Sequence, residues 1–502
     1  MNLLISVLLL IPLALGLDLS TYETPRINKD FSSICVPVKY SGGNAFVKLE
    51  LEHYRLAKGD EDNVKIPTMI IHLTDLLDTK KIPLMSEYNK LSSEKKFELT
   101  NGEKFNIQDR DHFYNGFLSL NGDKTGLKFD VDESGYYCVY IAPPDSVKEV
   151  NYSVVSKNSY GYMMFSSYLQ YKFGWLTGII LIATNWYLFQ HLMKTTGSEY
   201  QNLNGLSVIS KFLVFYIISP YTLILLGENV LGLVMNNVAK KGFFLSFLAF
   251  GYQVVEIAFQ IYVQYSLLMF CMGYGVIYYH RQTKFFRQMP ASRSKFATAL
   301  LFIGVVLFFL IIVTSLFSGK TPSVLYGSVS EDQTGTPNVF DMALNAAAGL
   351  VFFVSYVSSV ILGIKTIKVI KEYPPYDANV EDYIEKNDQL RKSFRRSLLV
   401  IFVLPIYASV VSTAFMIFTA GKSYSEDLKD VNPALIGYYM SDFMIENTSF
   451  LYYSVINNFV LGLVILVSLY FIWIKGNHGV AVSKEEETGD YTDFREPDQI
   501  IV

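Results

Sequence analysis

Seven long apolar runs dominate the chain after Gly174, at residues 174–193, 206–227, 244–277, 296–317, 342–368, 397–419 and 447–474. A helix rises about 1.5 Å per residue, so roughly 20 apolar residues cross the ~30 Å hydrocarbon core of a bilayer. Each run is long enough. The third and seventh exceed a single crossing and must tilt or project, and the third has room for a break near Gly251. Composition agrees, with 51% hydrophobic and only 18% charged residues, where a soluble domain carries about a quarter charged. A net charge of −4 without a basic tract gives no footing for nucleic acid.

The amino-terminal third reads differently. "MNLLISVLLLIPLALGL" is too short to span and ends in the small residues of a cleavage site, so residues 1–16 are expected to be a signal peptide. An uncleaved anchor is the alternative, because basic residues are missing from its start. Residues 18–165 have the composition of a soluble domain. Val47, Leu49 and Leu51 alternate with Lys48, Glu50 and Glu52, the period of a half-buried strand. "KFELTNGEKFNI" (96–107) predicts a hairpin: Phe97 and Leu99 on one arm, Asn101-Gly102 in the turn, Phe105 and Ile107 on the return. "GLKFDVDESGYYCVYIA" predicts a second strand pair, turning at 132–135. No long helical period interrupts these, so the expected fold is a small antiparallel β-sandwich.

Cys35 and Cys138 are the only cysteines of this domain. A signal peptide delivers them to an oxidising compartment, where a disulfide is expected; two separate buried thiols are the alternative. Closing a loop of about a hundred residues is worth ~4–5 kcal/mol in the chain-entropy model. Asn151-Tyr152-Ser153 is a glycosylation sequon, placed just after the domain and agreeing with a luminal face.

Basic residues give an independent test of orientation. With the sandwich luminal, the cytosolic loops and their flanks hold Lys194, Arg281, Lys284, Arg287, Arg293, Lys295, Lys365, Lys368, Lys371, Lys386, Arg391, Lys392, Arg395 and Arg396. The luminal loops between spans hold Lys240, Lys241, Lys320, Lys422 and Lys429. The positive-inside bias therefore puts the sandwich in the lumen and the tail, residues 475–502, in the cytosol.

With these pieces placed, "ESGYYCVYIAPP" (133–144) and "MGYGVIYYHR" (272–281) carry a likeness. The chain resembles the lung seven-transmembrane receptor family, also called GOLD-domain seven-transmembrane proteins, and most of all its fungal branch. The resemblance implies a GOLD-like luminal β-sandwich, a seven-helix domain over 174–474, and a place in Golgi and endosome-to-Golgi trafficking. One member carries a lipidated signalling protein, and ion conduction has been proposed for another. It brings no catalytic residues.

Catalysis fails on inventory. An intramembrane zinc hydrolase needs about three His or acidic ligands converging inside the bundle. Here His53, His72 and His112 precede the spans, His478 follows them, and His191 and His280 lie at span ends. No metal or cofactor is expected. Receptor coupling to G proteins is also disfavoured, since no acidic-Arg-Tyr triplet ends the third run and no Asn-Pro-x-x-Tyr ends the seventh. Pro405 is expected to kink the sixth helix, and Cys271 to be a buried small apolar residue.

The sharpest intramembrane feature is "GYQVVEIAFQIYVQ", whose Gln253, Glu256, Gln260 and Gln264 share an arc of about 80° on one helical face. Such groups should face the bundle interior. They form either a polar cavity for a ligand, lipid head group or cation, or interhelical glue with Glu256 bonded to Asn185, Asn345 or Asn457. In the polar, acidic tail, Tyr491 and Phe494 have the form of a tyrosine sorting signal, and Glu496 with Ile500 and Ile501 that of an acidic dileucine signal. The expectation is a Golgi membrane protein cycling through endosomes. Its sandwich would recognise luminal protein or lipidated cargo, its seven-helix bundle, in contact with membrane lipids, would hold a lipid-like or lipidated ligand, and its tail would engage coat adaptors. A cation-conducting protein using Glu256 is the competing reading.

Overall fold

The computed structural model describes residues 26–56, 64–79, 82–83, 85–100, 113–120, 125–163, 165–196, 206–240, 242–283, 285–317, 339–373, 381–411, 414, 448–475 and 478–480. The expected signal peptide, the 101–107 half of the first hairpin and the tail from 481 lie outside these residues.

Eight strands build two four-stranded sheets. They are β1 (Arg26–Asn28), β2 (Ser33–Val38), β3 (Ala45–Leu56), β4 (Lys65–His72), β5 (Phe113–Ser119), β6 (Gly126–Val131), β7 (Gly135–Ile141) and β8 (Val147–Lys157). One sheet runs β1-β8-β3-β6 and the other β2-β7-β4-β5, all antiparallel. Val47 and Leu49 of β3 turn inward while Phe46, Lys48 and Glu50 are only half-buried. They meet Tyr137, Val139 and Ile141 of β7 in the core between the sheets.

The second sheet is covered on its outer face too. Three short helices, α1 (Leu73–Thr79), α2 (Met85–Asn89) and α3 (Ser93–Thr100), fall between β4 and β5. They pack Leu76, Met85, Tyr88 and Leu99 against Met69, Ile71, Tyr136 and Tyr140. Asn89 pins α2 to β2 by accepting hydrogen bonds from Ser32 N (3.0 Å) and Ser33 Oγ (3.0 Å). Two-sided burial explains why every residue of β7 is buried, and why its sequence is a continuous apolar run.

Two sequence expectations are corrected here. Phe97 and Leu99 lie on helix α3, not on a hairpin arm. Ser93 and Glu94 suit a helix start, and Lys, Glu and Leu are good helix formers. The 126–141 segment does give two strands, but they do not pair. β6 joins β3 and β7 joins β2 and β4, so the turn after Val131 crosses between sheets.

Helices follow the sandwich: α4 (Phe165–Thr196), α5 (Val208–Asn237), α6 (Phe243–Cys271), α7 (Ala291–Phe317), α8 (Val339–Glu372), α9 (Glu381–Leu398) and α10 (Thr448–Tyr470). α9 continues through a π-helical turn, Leu399–Val403, into helix up to residue 411, and α10 through another, Phe471–Lys475. Helix thus covers all or part of each apolar run. Among the described residues five helical stretches are long and apolar enough to cross a membrane: Val208–Asn237, Phe247–Cys271, Ala291–Ile311, Ala346–Glu372 and Ile384–Val411. Their outer faces carry exposed Leu223, Phe302, Phe353 and Tyr407. Each bulky apolar side chain left in water forfeits about 1.5–3 kcal/mol, so these surfaces suit a bilayer. The multi-pass reading stands on that.

α4 packs along α5 and α10, α6 between α5 and α8, and α7 against α6 and α8; α9 meets α8. Prolines leave a mark on two of these helices. A proline lacks an N–H and crowds the carbonyl four residues earlier. Pro405 follows the π turn Leu399–Val403, and Pro220 follows another, Leu213–Ile218. The wider turns accommodate the crowded carbonyls of Ile401 and Tyr216.

α6 is continuous past Gly251 and stops at Cys271, well short of residue 277. Gly273 (φ +92°) and Gly275 (φ +77°) form the stop, conformations open to glycine at little cost. A Cβ on Gly275 would lie 3.2 Å from Ile209 Cγ1, so α5 approaches closely there. Arg293 Nη1 donates to the Met272 carbonyl (3.1 Å) and Thr366 Oγ1 to the Cys271 carbonyl (2.8 Å), tying α7 and α8 to the turn. Ile209 and Asn236 are 27 residues apart on α5, about 40 Å along a helix. The glycine turn and the sandwich therefore lie at opposite ends of the helices.

Candidate functional site

Cys35 and Cys138 are bonded. They face each other directly across β2 and β7, fully buried in the cluster beneath α1–α3. The bridge staples the middle of one sheet and sits among Met69, Met85 and Tyr140.

The junction between sandwich and helices is built from a short loop after β8. Gly161 (φ +141°) lets Asn158 and Gly161 exchange backbone hydrogen bonds, 2.8 and 3.1 Å. The loop is clasped by Asn236 at the end of α5. Asn236 Nδ2 donates to the Tyr160 carbonyl (2.8 Å), its Oδ1 accepts from Met163 N (3.2 Å), and its carbonyl accepts from Tyr162 N (3.0 Å). A Cβ on Gly161 would collide with the Asn236 amide. Beside this clasp Lys240 pairs with Glu50 of β3 at 2.5 Å, and Lys48 reaches the same carboxylate at 2.5 Å. Hydrogen bonds first from Lys240 and then from Lys48 hold the Glu50 carboxyl below its ordinary value. The junction thus joins one sheet and the loop leading into α4 to the end of α5 through polar contacts.

The four-residue stripe of α6 is divided. Gln264 Nε2 donates to the Phe352 carbonyl on α8 (3.0 Å) and borders a cavity of about 30 Å³, room for about one water. Gln260 is exposed and donates to Glu256 Oε1 at 3.5 Å. The side chain of Gln253 lies outside the described residues. Asn185, expected beside Glu256, is engaged elsewhere. Its Nδ2 donates to the Leu181 carbonyl and Thr222 Oγ1, both 2.8 Å, and its Oδ1 accepts from Ser219 Oγ at 3.0 Å. The side chains of Asn345 and Asn457 are not described. Sequence reasoning missed Glu228 on α5, a half-buried acid on a helix that packs against α6. "LLGENV" offered the signal: an acid inside an apolar run.

Asn151 lies within β8, paired with Asn28 and His53 on either side, rather than after the domain. It is half-buried. Cys271 is buried and free. Among the described residues no three His, Cys, Asp or Glu side chains come together as a metal site. Tyr491, Phe494, Glu496, Ile500 and Ile501 all lie outside the described residues.

At the end away from the sandwich, Ser210 Oγ donates to the Trp473 carbonyl (2.5 Å) and Trp473 Nε1 to Ser397 Oγ (2.7 Å), locking α5, α9 and the π turn after α10. These serines carried no periodic signal in the sequence. No protein-family model and no curated protein sequence matches the chain.

Proposed function

We propose that this chain is a non-enzymatic seven-span protein of the Golgi and endosomal membranes, acting as a cargo or trafficking receptor of the GOLD-domain seven-transmembrane type. Its sandwich faces the lumen and its basic helix ends face the cytosol. The observation that carries the reading is the junction: a disulfide-stapled sandwich clasped by Asn236 and Lys240 to one end of an apolar helical bundle. Most of the arginines and lysines of the helical part sit at the other end. That arrangement suits a luminal recognition head whose occupancy is relayed to helices and a cytosolic tail.

Epitope-tagged full-length protein should co-distribute with Golgi markers, and crosslinking in intact cells should recover luminal or lipidated clients through the sandwich. Steady residence in mitochondria or at the plasma membrane, with no client recovered, would reject the receptor reading.

A second reading has one observation of its own: Glu228 and Glu256 are both half-buried on the packed helices α5 and α6. Such a carboxyl pair would suit passage of cations. Recordings on purified protein in liposomes decide it, because conduction through this pair must fall in Glu256→Gln and Glu228→Gln.

A further inference from the structure

A cavity of about 360 Å³ opens at the glycine-turn end, where the start of α5, the last turns of α6 and the start of α7 converge. Its size falls in the range of small-molecule sites, about 300–1,000 Å³. Phe212, Tyr262, Met269, Phe270 and Met289 supply apolar walls. The hydroxyl of Ser266 is already spent on the Tyr262 carbonyl at 2.7 Å. Tyr262, Tyr265 and Tyr274 bring hydroxyls to the lining, but no charged side chain lines the cavity apart from His280 at its rim, and walls of rings and methionines favour a hydrocarbon chain over a sugar or nucleotide.

The rim has the opposite character. His280 lines it and is exposed, and Ser294 lines it from α7. From residue 257 to 300 the chain has no Asp or Glu and five Arg or Lys. Two of the five are committed elsewhere: Arg293 to the Met272 carbonyl and the Tyr278 ring, Arg287 to the Tyr373 ring. Arg281 follows His280 and Lys295 follows Ser294, both exposed and without an ion pair among the described residues. An apolar pocket whose rim residues His280 and Ser294 have exposed cationic chain neighbours, at the end of membrane-length helices, matches an amphiphile with an anionic head.

We infer that this cavity takes an acyl chain of an anionic phospholipid from the adjoining leaflet, its phosphate held at the rim by His280, Arg281 and Lys295. The inference rests on the membrane reading alone, so it stands or falls separately from cargo recognition and Golgi residence.

The test uses full-length protein in nanodiscs of phosphatidylcholine with a minor share of phosphatidic acid, reading co-retained lipid by native mass spectrometry. The retained ratio of anionic to neutral lipid should exceed that of the bilayer by about tenfold, a difference of about 1.4 kcal/mol. Arg281→Glu with Lys295→Glu should return the ratio to that of the bilayer, as should Ser266→Phe, which fills the pocket. Arg395→Glu with Arg396→Glu, exposed on α9 at the same end, should leave it unchanged. The charge-reversed residues are on the surface, so those variants decide the matter even if Ser266→Phe fails to fold. Three outcomes overturn the inference: a ratio equal to that of the bilayer, equal loss in the α9 variant, or displacement of the lipid by soluble glycerol phosphate.

Discussion

Asn236 does three jobs at one position, and the geometry says what its loss would cost. Asn236→Ala removes the acceptor of Met163 N and the donor to the Tyr160 carbonyl. Stranding partly buried backbone groups costs about 1–3 kcal/mol. Hydrogen exchange across 158–163 should therefore speed up while the β7 amides keep their protection; equal loosening of both would deny a local clasp. Glu50 makes a pH prediction. Its carboxyl is depressed by Lys240 and Lys48, so the unfolded chain binds the proton more readily. That contribution is complete above the ordinary carboxylate value and is lost as pH falls through the lower folded one. The penalty of Lys240→Ala on thermal stability should thus be the same at pH 7 and pH 6 and shrink only in stronger acid. A penalty already halved at pH 6 would contradict this assignment.

Among elements, the strands showed themselves through burial, and their pairing did not. β3 alternates because one face is buried and the other half-exposed, which the side chains of Val47 to Glu50 declare. β7 reads as an unbroken apolar run because α1–α3 cover its outer face. Neither pattern names a partner, so the crossing from β6 to β7 between sheets could not be read, and neither could β8 as the strand that carries Asn151. α3 was mistaken for a hairpin arm because Phe97 and Leu99 satisfy a period of two by chance over a short stretch. The end of α6 was hidden for a different reason. Val276, Ile277 and Tyr278 are apolar and buried beyond the turn, so hydropathy ran on after the helix had stopped. Of the candidate site, Glu256 on α6 and Glu228 on α5 were each legible as an acid in an apolar run, but the packing of their helices was not, since helix pairing is a tertiary fact. Gly275 supplies the element-scale test. Alanine there must adopt a left-handed conformation, costing about 1–2 kcal/mol, and must also press on Ile209. Gly275→Ala should lower the melting temperature of the full chain, while Gly251→Ala, with open space around it mid-helix, should not lower it. The disulfide is the larger element-scale term. It closes a separation of 103 residues, worth ~4–5 kcal/mol in the chain-entropy model. On the proposed luminal placement, Cys35→Ser with Cys138→Ser should be retained in the endoplasmic reticulum and degraded faster than wild type in a pulse-chase.

For the whole molecule, the question that organises everything else is which side of the bilayer each end occupies. The sandwich and the cluster of arginines and lysines lie at opposite ends of the helices, so one measurement fixes both. Asn151 offers it. In the folded sheet β8 is hydrogen-bonded between β1 and β3, and Asn151 is only half-exposed. On the proposed luminal placement, an oligosaccharide there would be added before the sheet closes. The side chains of its strand neighbours Val150 and Tyr152 point into the core, so by the alternation of a strand Asn151 points away from it, and a glycan can be carried without unpacking the sandwich. Endoglycosidase treatment should therefore increase the gel mobility of wild-type protein and shift Asn151→Gln less, Asn447-Thr448-Ser449 being the second sequon of the chain. In sealed microsomes, protease should spare the sandwich and remove a tag placed after Val502. A sandwich digested from outside intact vesicles would reverse the topology and take the luminal-receptor reading with it. The aromatic cavity with its cationic rim would survive, because it needs only that the helices cross a membrane.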